Sequence, residues 1–245
     1  MASRGAALIT GGARRIGRAL VRAAAEAGYD VAIHVRTVDD EAEAAAGEVR
    51  ARGRRAAIVA CDLRQEGRAV ALVGEAEGEL GPVTLLVNSA SVFEEDAFAD
   101  MNRASWDLHL ETNLRAPLVL SQVFARRLPP EHDGLIVNIL DQRVLKPTPE
   151  FFSYSLSKAA LWDATRLMAQ ALAPRVRVNG IGPGPVLPSI HQDQAAFDAE
   201  AAATLMRRPV DPTEIAAALR YLIDAPSVTG QMIAVDSGQH LAWKS

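Results

Sequence analysis

Cysteine is almost absent from this chain of 245 residues, which contains only Cys61. A disulfide within the chain is therefore excluded, and such cysteine usage is typical of a reducing compartment. No apolar run reaches the roughly 18 residues that a membrane span needs. The opening MASRGAALIT is too short before its first apolar segment to be a signal peptide. We therefore expect a soluble protein of the cytoplasm.

An excess of positive charge is also missing. The 26 Lys and Arg residues are outnumbered by 30 Asp and Glu residues, which gives a formal net charge of −4. Nucleic-acid binding requires basic residues gathered on one face, and the one arginine cluster, at 50–55, is better explained as the solvated end of a helix. The histidines are scattered without the spacing of metal ligands. We expect neither a nucleic-acid partner nor a metal. The five histidines are His34, His109, His132, His191 and His240.

Short apolar runs alternate with longer segments of helical periodicity. Strands are predicted at 6–10, 31–35, 56–60, 83–88, 135–140, 176–179 and 232–235. Helices are predicted near 15–27, 40–52, 66–79, 103–127, 152–172 and 212–223. Apolar strands separated by crossover helices predict a parallel sheet that is buried on both faces. The fold class is therefore α/β: one doubly wound domain over 1–245, with a Rossmann-type sheet of about seven mostly parallel strands and helices on both faces.

One segment departs from this alternation. At 182–205 a stretch rich in proline and glycine is followed by an alanine-rich, amphipathic stretch. Ligands bind outside the carboxyl ends of the strands in such sheets, and long irregular connections often carry binding residues. We therefore predict a flap over the strand ends, with His191 as a candidate substrate contact.

A glycine-rich turn follows the first predicted strand. The sequence LITGGARRIGRAL at 8–20 places Gly11 and Gly12 at the mouth of the first helix. Such a turn lets the main chain approach a pyrophosphate, and the helix N-terminus supplies oriented N–H groups and a positive dipole. This pattern predicts a dinucleotide site.

The end of the second strand indicates which dinucleotide binds. An acid there would hold the ribose hydroxyl of NAD, whereas arginine accommodates the phosphate of NADP. Arg36 and Thr37 come first, and Arg14 in the glycine turn could reach the same phosphate. NADPH is therefore favoured. Asp39 is expected to cap the next helix, although folding back to the ribose is the alternative.

A tyrosine and a lysine, Tyr154 and Lys158, lie four residues apart on a predicted helix and so share one face. An ammonium near a phenol is expected to lower the pKa of the phenol from about 10, which would make it a proton donor or acceptor near neutrality. By itself this spacing is weak, because it occurs by chance on many helices. Its position after the fifth strand of a nucleotide-binding sheet makes it a candidate catalytic pair.

Over essentially its whole length the chain resembles the short-chain dehydrogenases/reductases. The segments that carry the resemblance are TGGARRIG at 10–17, CDL at 61–63, VNSAS at 87–91, Asn113, YSLSK at 154–158, RVNGIGPG at 177–184 and TGQMIAVDSG at 229–238. The resemblance implies that Tyr154 and Lys158 transfer protons and that Lys158 also holds the nicotinamide ribose. Since the family commonly forms tetramers, it also implies a homotetramer that packs through the helices at 103–127 and 152–172. Besides Arg14, Arg36, Thr37, Tyr154 and Lys158, the expected cofactor contacts are Gly11, Arg15, Ile16, His34, Asp62, Leu63, Asn88, Ser89, Ala90, Pro183 and Gly184.

Asn113 would be the relay member of that family's site. Pro117 lies four residues later in a helical stretch, and a proline cannot donate to the carbonyl four residues back. The main-chain carbonyl of Asn113 could then bind a water that leads toward Lys158. The alternative is a kink that serves packing alone.

Three departures from the common family pattern indicate a subgroup. Arg15 occupies a usual glycine-rich position, NSAS at 88–91 replaces NNAG, and Asp141 replaces the catalytic serine thirteen residues before Tyr154. Together with Phe93 they resemble the pteridine reductases and bacterial dihydromonapterin reductases. The segments of this narrower match are ARRIG at 13–17, NSASVF at 88–93, and NILDQ joined to YSLSK.

The chemistry of an aspartate supports the same subgroup. A serine donates a hydrogen bond to a substrate carbonyl, whereas an ionised carboxylate only accepts. A pterin offers N–H donors and a C=N nitrogen that must gain a proton, which Asp141 could supply if burial raises its pKa. Phe93 would give the pterin a flat wall. Arg15, Ser91, Tyr154 and Gly184 complete the expected substrate contacts.

These observations predict NADPH-dependent reduction of a 7,8-dihydropterin, either dihydromonapterin or dihydrobiopterin, to the tetrahydropterin, with dihydrofolate as a weaker substrate. Two alternatives stay open at the level of sequence. One is a carbonyl or 3-oxoacyl-thioester reductase that tolerates Asp141. The other is a catalytically silent NADP-binding regulator, against which the intact Tyr154, Lys158 and Asn113 argue.

Overall fold

A computed structural model describes residues 4–189 and 191–243 and contains one seven-stranded sheet. The strand order is β3-β2-β1-β4-β5-β6-β7, and every neighbouring pair is parallel. The strands are β1 Ala6–Thr10, β2 Asp30–Val35, β3 Ala56–Ala60, β4 Val83–Asn88, β5 Gly134–Ile139, β6 Val176–Pro183 and β7 Met232–Val235. The predicted doubly wound sheet with helices on both faces is confirmed.

Eight α-helices cross over between the strands or follow them among the described residues. They are α1 Arg15–Glu26, α2 Asp40–Ala51, α3 Glu66–Leu80, α4 Arg103–Leu110, α5 Ala116–Arg127, α6 Phe152–Leu172, α7 Gln194–Ala202 and α8 Pro212–Asp224. Short 3₁₀ turns at Gln142–Val144 and Gln239–Leu241 pack against each other. No helix in these residues is long and apolar enough to cross a membrane.

The apolar side chains divide into two cores, one on each face of the sheet. Leu20 of α1 and Leu219 of α8 belong to the first core, whereas Leu72 of α3 and Phe124 of α5 belong to the second. Each of these four side chains is at most 1% exposed. Because both faces are covered, the central strands are apolar throughout rather than alternating.

The structure differs from the predicted elements at three places. β6 runs on to Pro183, because its end pairs with β7 up to Val235. The predicted helix over 103–127 is interrupted by a π turn, Glu111–Arg115, just before Pro117, which cannot donate the α-helical hydrogen bond to Asn113. The predicted flap contains helix α7; Ile190, within it, lies outside the described residues.

Candidate active site

A cleft of about 1270 Å³ opens along the carboxyl ends of the strands. Its lining extends from Arg36, after β2, through the glycine turn to Gln239, after β7. The strand order reverses at β1, whose sequence neighbour β2 lies on one side and β4 on the other. Such a switch point leaves a crevice at the carboxyl edge of the sheet, where ligands bind in this architecture.

The glycine turn forms a cradle that a side chain would fill. Gly11 has a φ of 63°, and a Cβ there would lie 3.0 Å from the Ala90 Cα. A Cβ at Gly17 would lie 2.0 Å from the Gly11 carbonyl oxygen, so only glycine lets α1 start this close to the turn. Arg14, at the N-cap of α1, makes no side-chain capping bond. The first N–H groups of α1 are thus available to an anionic group such as a pyrophosphate.

The end of β4 is tied to this cradle by one hydroxyl. Thr10 Oγ1 accepts hydrogen bonds from the main-chain N–H groups of Ser89, at 2.9 Å, and Ala90, at 3.0 Å. Ser89 and Ala90 line the cleft, as predicted cofactor contacts should. Four further predicted cofactor residues also line the cleft: Ile16, Leu63, Pro183 and Gly184.

The carboxyl end of β2 presents cations to the cleft. Arg36 and Thr37 are exposed and line it. Asp39 accepts from the Ala42 N–H at 3.0 Å with one oxygen, as the expected cap of α2, and from Arg14 Nη2 at 2.5 Å with the other. Because both oxygens of Asp39 already have partners, its competing role toward a ribose is disfavoured.

Asp62, after β3, also belongs to this end of the cleft. Its carboxylate forms an ion pair with Arg64 Nη2 at 2.5 Å, and the hydrogen bond from Arg64 is the main reason that the pKa of Asp62 is lowered. An ionised Asp62 can accept a hydrogen bond from an N–H donor of the cofactor, for which it is a predicted contact.

Two predicted cofactor residues have mainly structural contacts. His34 is 3% exposed at the floor of the cleft; its Nδ1 lies 3.4 Å from the Gly11 main-chain nitrogen, and its Nε2 lies 3.1 Å from the Cys61 carbonyl oxygen. Burial lowers its pKa, which favours the neutral ring that these contacts require. The Asn88 side chain does not line the cleft, since its Nδ2 donates to Asn138 Oδ1 at 2.8 Å in the core. A cofactor contact at Asn88 stays a prediction.

Tyr154 and Asp141 are brought into direct contact at the other end of the cleft. The Tyr154 hydroxyl donates to Asp141 Oδ2 at 2.7 Å, and Asp141 Oδ1 accepts from the Arg143 N–H at 2.8 Å. Lys158 Nζ donates to the Ile139 carbonyl at 2.9 Å and lies 5.7 Å from the Tyr154 ring centre. The acid thirteen residues before the tyrosine therefore occupies one site with it.

Burial shifts the pKa of all three groups. It raises the pKa of Asp141, although hydrogen bonds from Arg143 and Tyr154 oppose the shift. Burial, the Asp141 charge and the Asp141 hydrogen bond raise the pKa of Tyr154 well above its usual value. Burial lowers the pKa of Lys158 to about 8, against the attraction of Asp141. The pKa of the Tyr154 phenol is thus raised rather than lowered, contrary to the expectation for Lys158, because burial and then the charge and hydrogen bond of Asp141 dominate the shift.

The Asn113 side chain clamps the segment after β4. Its Oδ1 accepts from the Val92 N–H at 2.8 Å and from Ser91 Oγ at 3.2 Å, while its Nδ2 donates to the Val92 carbonyl at 2.9 Å and to Ser157 Oγ at 3.2 Å. This clamp fixes the main chain directly before Phe93. The proposed water path from the Asn113 carbonyl to Lys158 stays a prediction.

An aromatic pair forms the wall beside Tyr154. The Phe93 ring stacks on Phe151 at 4.0 Å with an interplanar angle of 14°, and it meets Tyr154 edge to face at 4.7 Å. The Arg143 guanidinium carbon lies 5.3 Å from the Phe151 ring centre. The sequence prediction included Phe93 but missed Phe151 and Arg143. Both residues lie in the strand-to-helix connection before Tyr154, and that position is the signal that could have indicated them.

Arg15 makes a different contact from the one predicted. It has a left-handed main chain, with φ at 50°, and its guanidinium donates at 3.0 Å to the carbonyls of Leu187 and Pro188. It thus ties the glycine turn to the predicted flap while still lining the cleft. In that flap, His191 Nε2 lies 3.0 Å from Glu94 Oε2 and 3.3 Å from the Phe93 carbonyl oxygen, so His191 reaches the aromatic wall.

No group of three or more His, Cys, Asp or Glu residues in the described part of the chain could hold a metal ion. The arrangement that is present combines a main-chain cradle for an anion, a buried proton-carrying pair and an aromatic wall. Such a site can bind a dinucleotide and a flat substrate side by side and can exchange a proton with the substrate.

Comparisons with known proteins agree with this geometry. The family model described as short chain dehydrogenase matches residues 5–199. An alternative dihydrofolate reductase FolM of Brucella suis, solved in complex with NADP, is 47% identical, with a TM-score of 0.95 over 100% of this chain and 98% of that one. An uncharacterized oxidoreductase of Mycobacterium tuberculosis is 38% identical over 95% of this chain and 90% of its own. A 3-oxoacyl-[acyl-carrier-protein] reductase of Staphylococcus epidermidis is 27% identical over 96% of this chain and 98% of its own. The chain belongs to the short-chain dehydrogenase family.

Proposed function

We propose that this oxidoreductase uses NADPH to reduce a 7,8-dihydropterin to the tetrahydropterin. The observation that carries the proposal is the 2.7 Å hydrogen bond from Tyr154 to Asp141, in a cleft wall that also holds a stacked aromatic pair. The similarity to a FolM alternative dihydrofolate reductase supports a substrate of the pterin and folate type.

NADPH is the cofactor that the cleft fits. The uncapped start of α1 suits a pyrophosphate. Arg36 follows β2, where an arginine accommodates the additional phosphate of NADP, and Arg14 of the glycine turn reaches the same place through its bond to Asp39. The Brucella suis relative binds NADP, which agrees with this choice. Bound NADPH would supply hydride, and Lys158, Ser89 and Gly184, which line the cleft, would hold its nicotinamide half.

A C=N bond that accepts hydride at carbon needs a proton at nitrogen. Tyr154 holds a proton at its hydroxyl, because burial and Asp141 raise its pKa. Asp141, whose own pKa is raised by burial, can take up a proton and pass it on through the same hydrogen bond. Lys158 places positive charge beside the pair and stabilises the anion left behind when the proton has moved. The pair thus acts as the proton donor to the pterin nitrogen.

Asp141 also determines which substrate ring is accepted. An ionised carboxylate repels the oxygen of a ketone, whereas the N–H groups of an aminopyrimidinone ring can donate to it. The aromatic pair of Phe93 and Phe151 gives such a ring a flat apolar surface, and stacked aromatic contacts contribute roughly 0.5–1.5 kcal/mol beyond burial. Both features favour a nitrogen-rich ring over a ketone.

The charges at the substrate end favour a neutral side chain on that ring. Glu95, Glu150 and Glu200 line the cleft there. Glu200 accepts hydrogen bonds from Gln192 at 2.9 Å and Gln239 at 2.8 Å. These carboxylate and amide groups can bind the hydroxyls of a monapterin or biopterin side chain. The two carboxylates of dihydrofolate would meet like charge, so we propose dihydrofolate as the weaker substrate.

The test is NADPH oxidation by the purified protein with dihydromonapterin, dihydrobiopterin, dihydrofolate and a 3-oxoacyl thioester. We expect turnover with both dihydropterins and slower turnover with dihydrofolate. Turnover of the thioester alone would favour a 3-oxoacyl reductase, the function of the Staphylococcus epidermidis relative. NADPH binding without turnover of any substrate would favour a regulator. Either outcome contradicts the proposal.

A further inference from the structure

Three buried polar side chains outside the proton-transfer site are bonded into one chain. Asp96, His109 and Ser153 are 7%, 0% and 0% exposed, and they come from the loop after β4, from α4 and from the first turn of α6. His109 Nδ1 lies 2.7 Å from Ser153 Oγ, which donates to Asp96 Oδ2. At the other side of the ring, the Glu94 N–H donates to His109 Nε2 at 3.1 Å. Nothing in the proposed proton transfer uses these groups.

The donors and acceptors in this chain fit only one arrangement. Burial opposes ionisation of Asp96, but hydrogen bonds from Ser153 outweigh it and lower the pKa, so Asp96 accepts from the Ser153 hydroxyl. Ser153 must then accept from His109 Nδ1–H. That tautomer leaves Nε2 as the acceptor that the Glu94 N–H requires. Burial lowers the pKa of His109, which keeps the ring neutral.

These hydrogen-bonded side chains and Asn113 together hold the main chain on both sides of Phe93. His109 and Asn113 lie four residues apart on consecutive turns; Asn113 binds the Val92 main chain before Phe93, and His109 binds the Glu94 main chain after it. Asp96 fastens the same loop to α6, since it accepts from the Ser153 N–H at 3.0 Å while its own carbonyl accepts from the Phe152 N–H at 3.0 Å. Tyr154 is the next residue of α6. These hydrogen bonds therefore join the loop that carries Phe93 to helix α6, which carries Tyr154.

We propose that His109 is a positioning residue, which holds the Phe93 ring against Tyr154 through its hydrogen bonds to Glu94 and Ser153, and so sets the substrate affinity of the site. His109 itself is fully buried and does not line the cleft. The inference rests on the proposed reduction of a pterin beside Phe93. His109 would thus influence substrate binding from behind the aromatic wall of Phe93 and Phe151.

Two substitutions separate positioning from mere stability. In His109→Gln the longer amide can reach the place of Nε2, and its oxygen can still accept from the Glu94 N–H. In His109→Asn the shorter amide can reach only the place of Nδ1, so it keeps the bond to Ser153 and loses Glu94. We expect His109→Asn to raise the KM for the dihydropterin roughly tenfold, with the Kd of NADPH unchanged. His109→Gln keeps the bond from Glu94 but loses the one to Ser153, so we expect its KM to rise less than that of His109→Asn.

Hydrogen exchange provides a readout that needs no substrate. We expect amide exchange of a peptide over 92–97 to accelerate in His109→Asn and to accelerate less in His109→Gln, which keeps the acceptor for the Glu94 N–H. Equal KM values and equal exchange in the two variants would overturn the inference. If His109→Asn does not fold, Ser153→Ala tests the same chain: the loss of the hydroxyl should raise both KM and exchange, and unchanged values would refute the proposal. Absence of pterin turnover in the wild type would instead refute the proposed function, and the exchange comparison would still decide on His109.

Discussion

At the cofactor end of the cleft the groups offered to a ligand are main-chain N–H groups and exposed arginines, whereas at the substrate end they are largely buried side chains with hydrogen-bond partners within the protein. The start of α1 and Arg36 represent the first kind. Tyr154, Asp141 and Lys158 represent the second. A site that binds its ligand through main-chain groups tolerates side-chain changes and binds an abundant cofactor. In a site of hydrogen-bonded side chains, each substitution also alters the neighbouring groups that contact the substrate. Substitutions at the two ends should therefore affect different kinetic constants.

The largest expected effect is at Tyr154. Tyr154→Phe removes the proton donor but keeps the ring, and we expect kcat for the dihydropterin to fall about 10²–10⁴-fold. The Kd of NADPH, measured by fluorescence titration, should stay within about twofold because the cradle is untouched. Tyr221→Phe, at an exposed position on α8, is the matched control. Retained turnover in Tyr154→Phe would exclude the tyrosine as donor.

Substitution of Asp141 should have the next largest effect, and whether it lowers or raises activity should depend on the substrate. Asp141→Ser replaces the two carboxylate oxygens that accept from pterin N–H groups by one weaker, uncharged acceptor, and we expect kcat/KM for the dihydropterin to fall roughly 10- to 100-fold. Activity on a 3-oxoacyl thioester, where a hydroxyl donor is useful, should hold or rise. Asp141→Asn controls for the lost volume. If kcat/KM of Asp141→Ser fell for the thioester alone, Asp141 would not be the group that selects a pterin.

The pH profile should reflect Lys158, because burial lowers the pKa of its ammonium to about 8. Below that pH the ammonium is charged beside Tyr154 and Asp141, and above it the charge is lost. We expect kcat/KM for the dihydropterin to decrease above pH 8, approaching tenfold per pH unit. Tyr154 does not titrate in this range, since its pKa is raised well above 10. A constant kcat/KM up to pH 10 would contradict this role of the charge.

At the cofactor end, Arg36→Ala should change the choice of dinucleotide rather than the chemistry. Loss of one charge-assisted contact to the phosphate should raise the KM for NADPH roughly tenfold. The KM for NADH should not rise, and kcat should stay constant. Arg50→Ala, on the exposed end of α2, is the control. An equal rise for both dinucleotides would show that Arg36 does not contact the phosphate.

The smallest effect is expected at the rim of the substrate end. Glu200→Gln removes one negative charge near the side chain of the substrate, and we expect kcat/KM for dihydrofolate to rise about threefold relative to dihydromonapterin. The change should shrink in high salt, because exposed charges are screened. Glu43→Gln, an exposed change on α2, controls for net charge. An unchanged ratio would place the folate carboxylates away from Glu200.

The same contrast explains how much could be predicted from the sequence. The glycine turn and the Asp39 cap are local, so a few neighbouring residues determine them, and both were predicted. Asp141 and Tyr154 were paired by their spacing across one strand-to-helix connection. The Phe151 stack, the Arg15 contact with the flap and the direction of the Tyr154 pKa shift depend on residues that are distant in sequence or on burial. No local pattern specifies such contacts, and the first two were missed and the third was wrong.

The π turn at Glu111–Arg115 limits how this chain can change in length. Ahead of the turn, α4 carries His109 toward the loop of Phe93; behind it, α5 packs Phe124 into the core beside α3. Each residue of a helix turns the chain by about 100°. A deletion of one residue in the turn would straighten the helix and rotate one of these faces out of contact. Insertions and deletions should therefore be rejected within the turn.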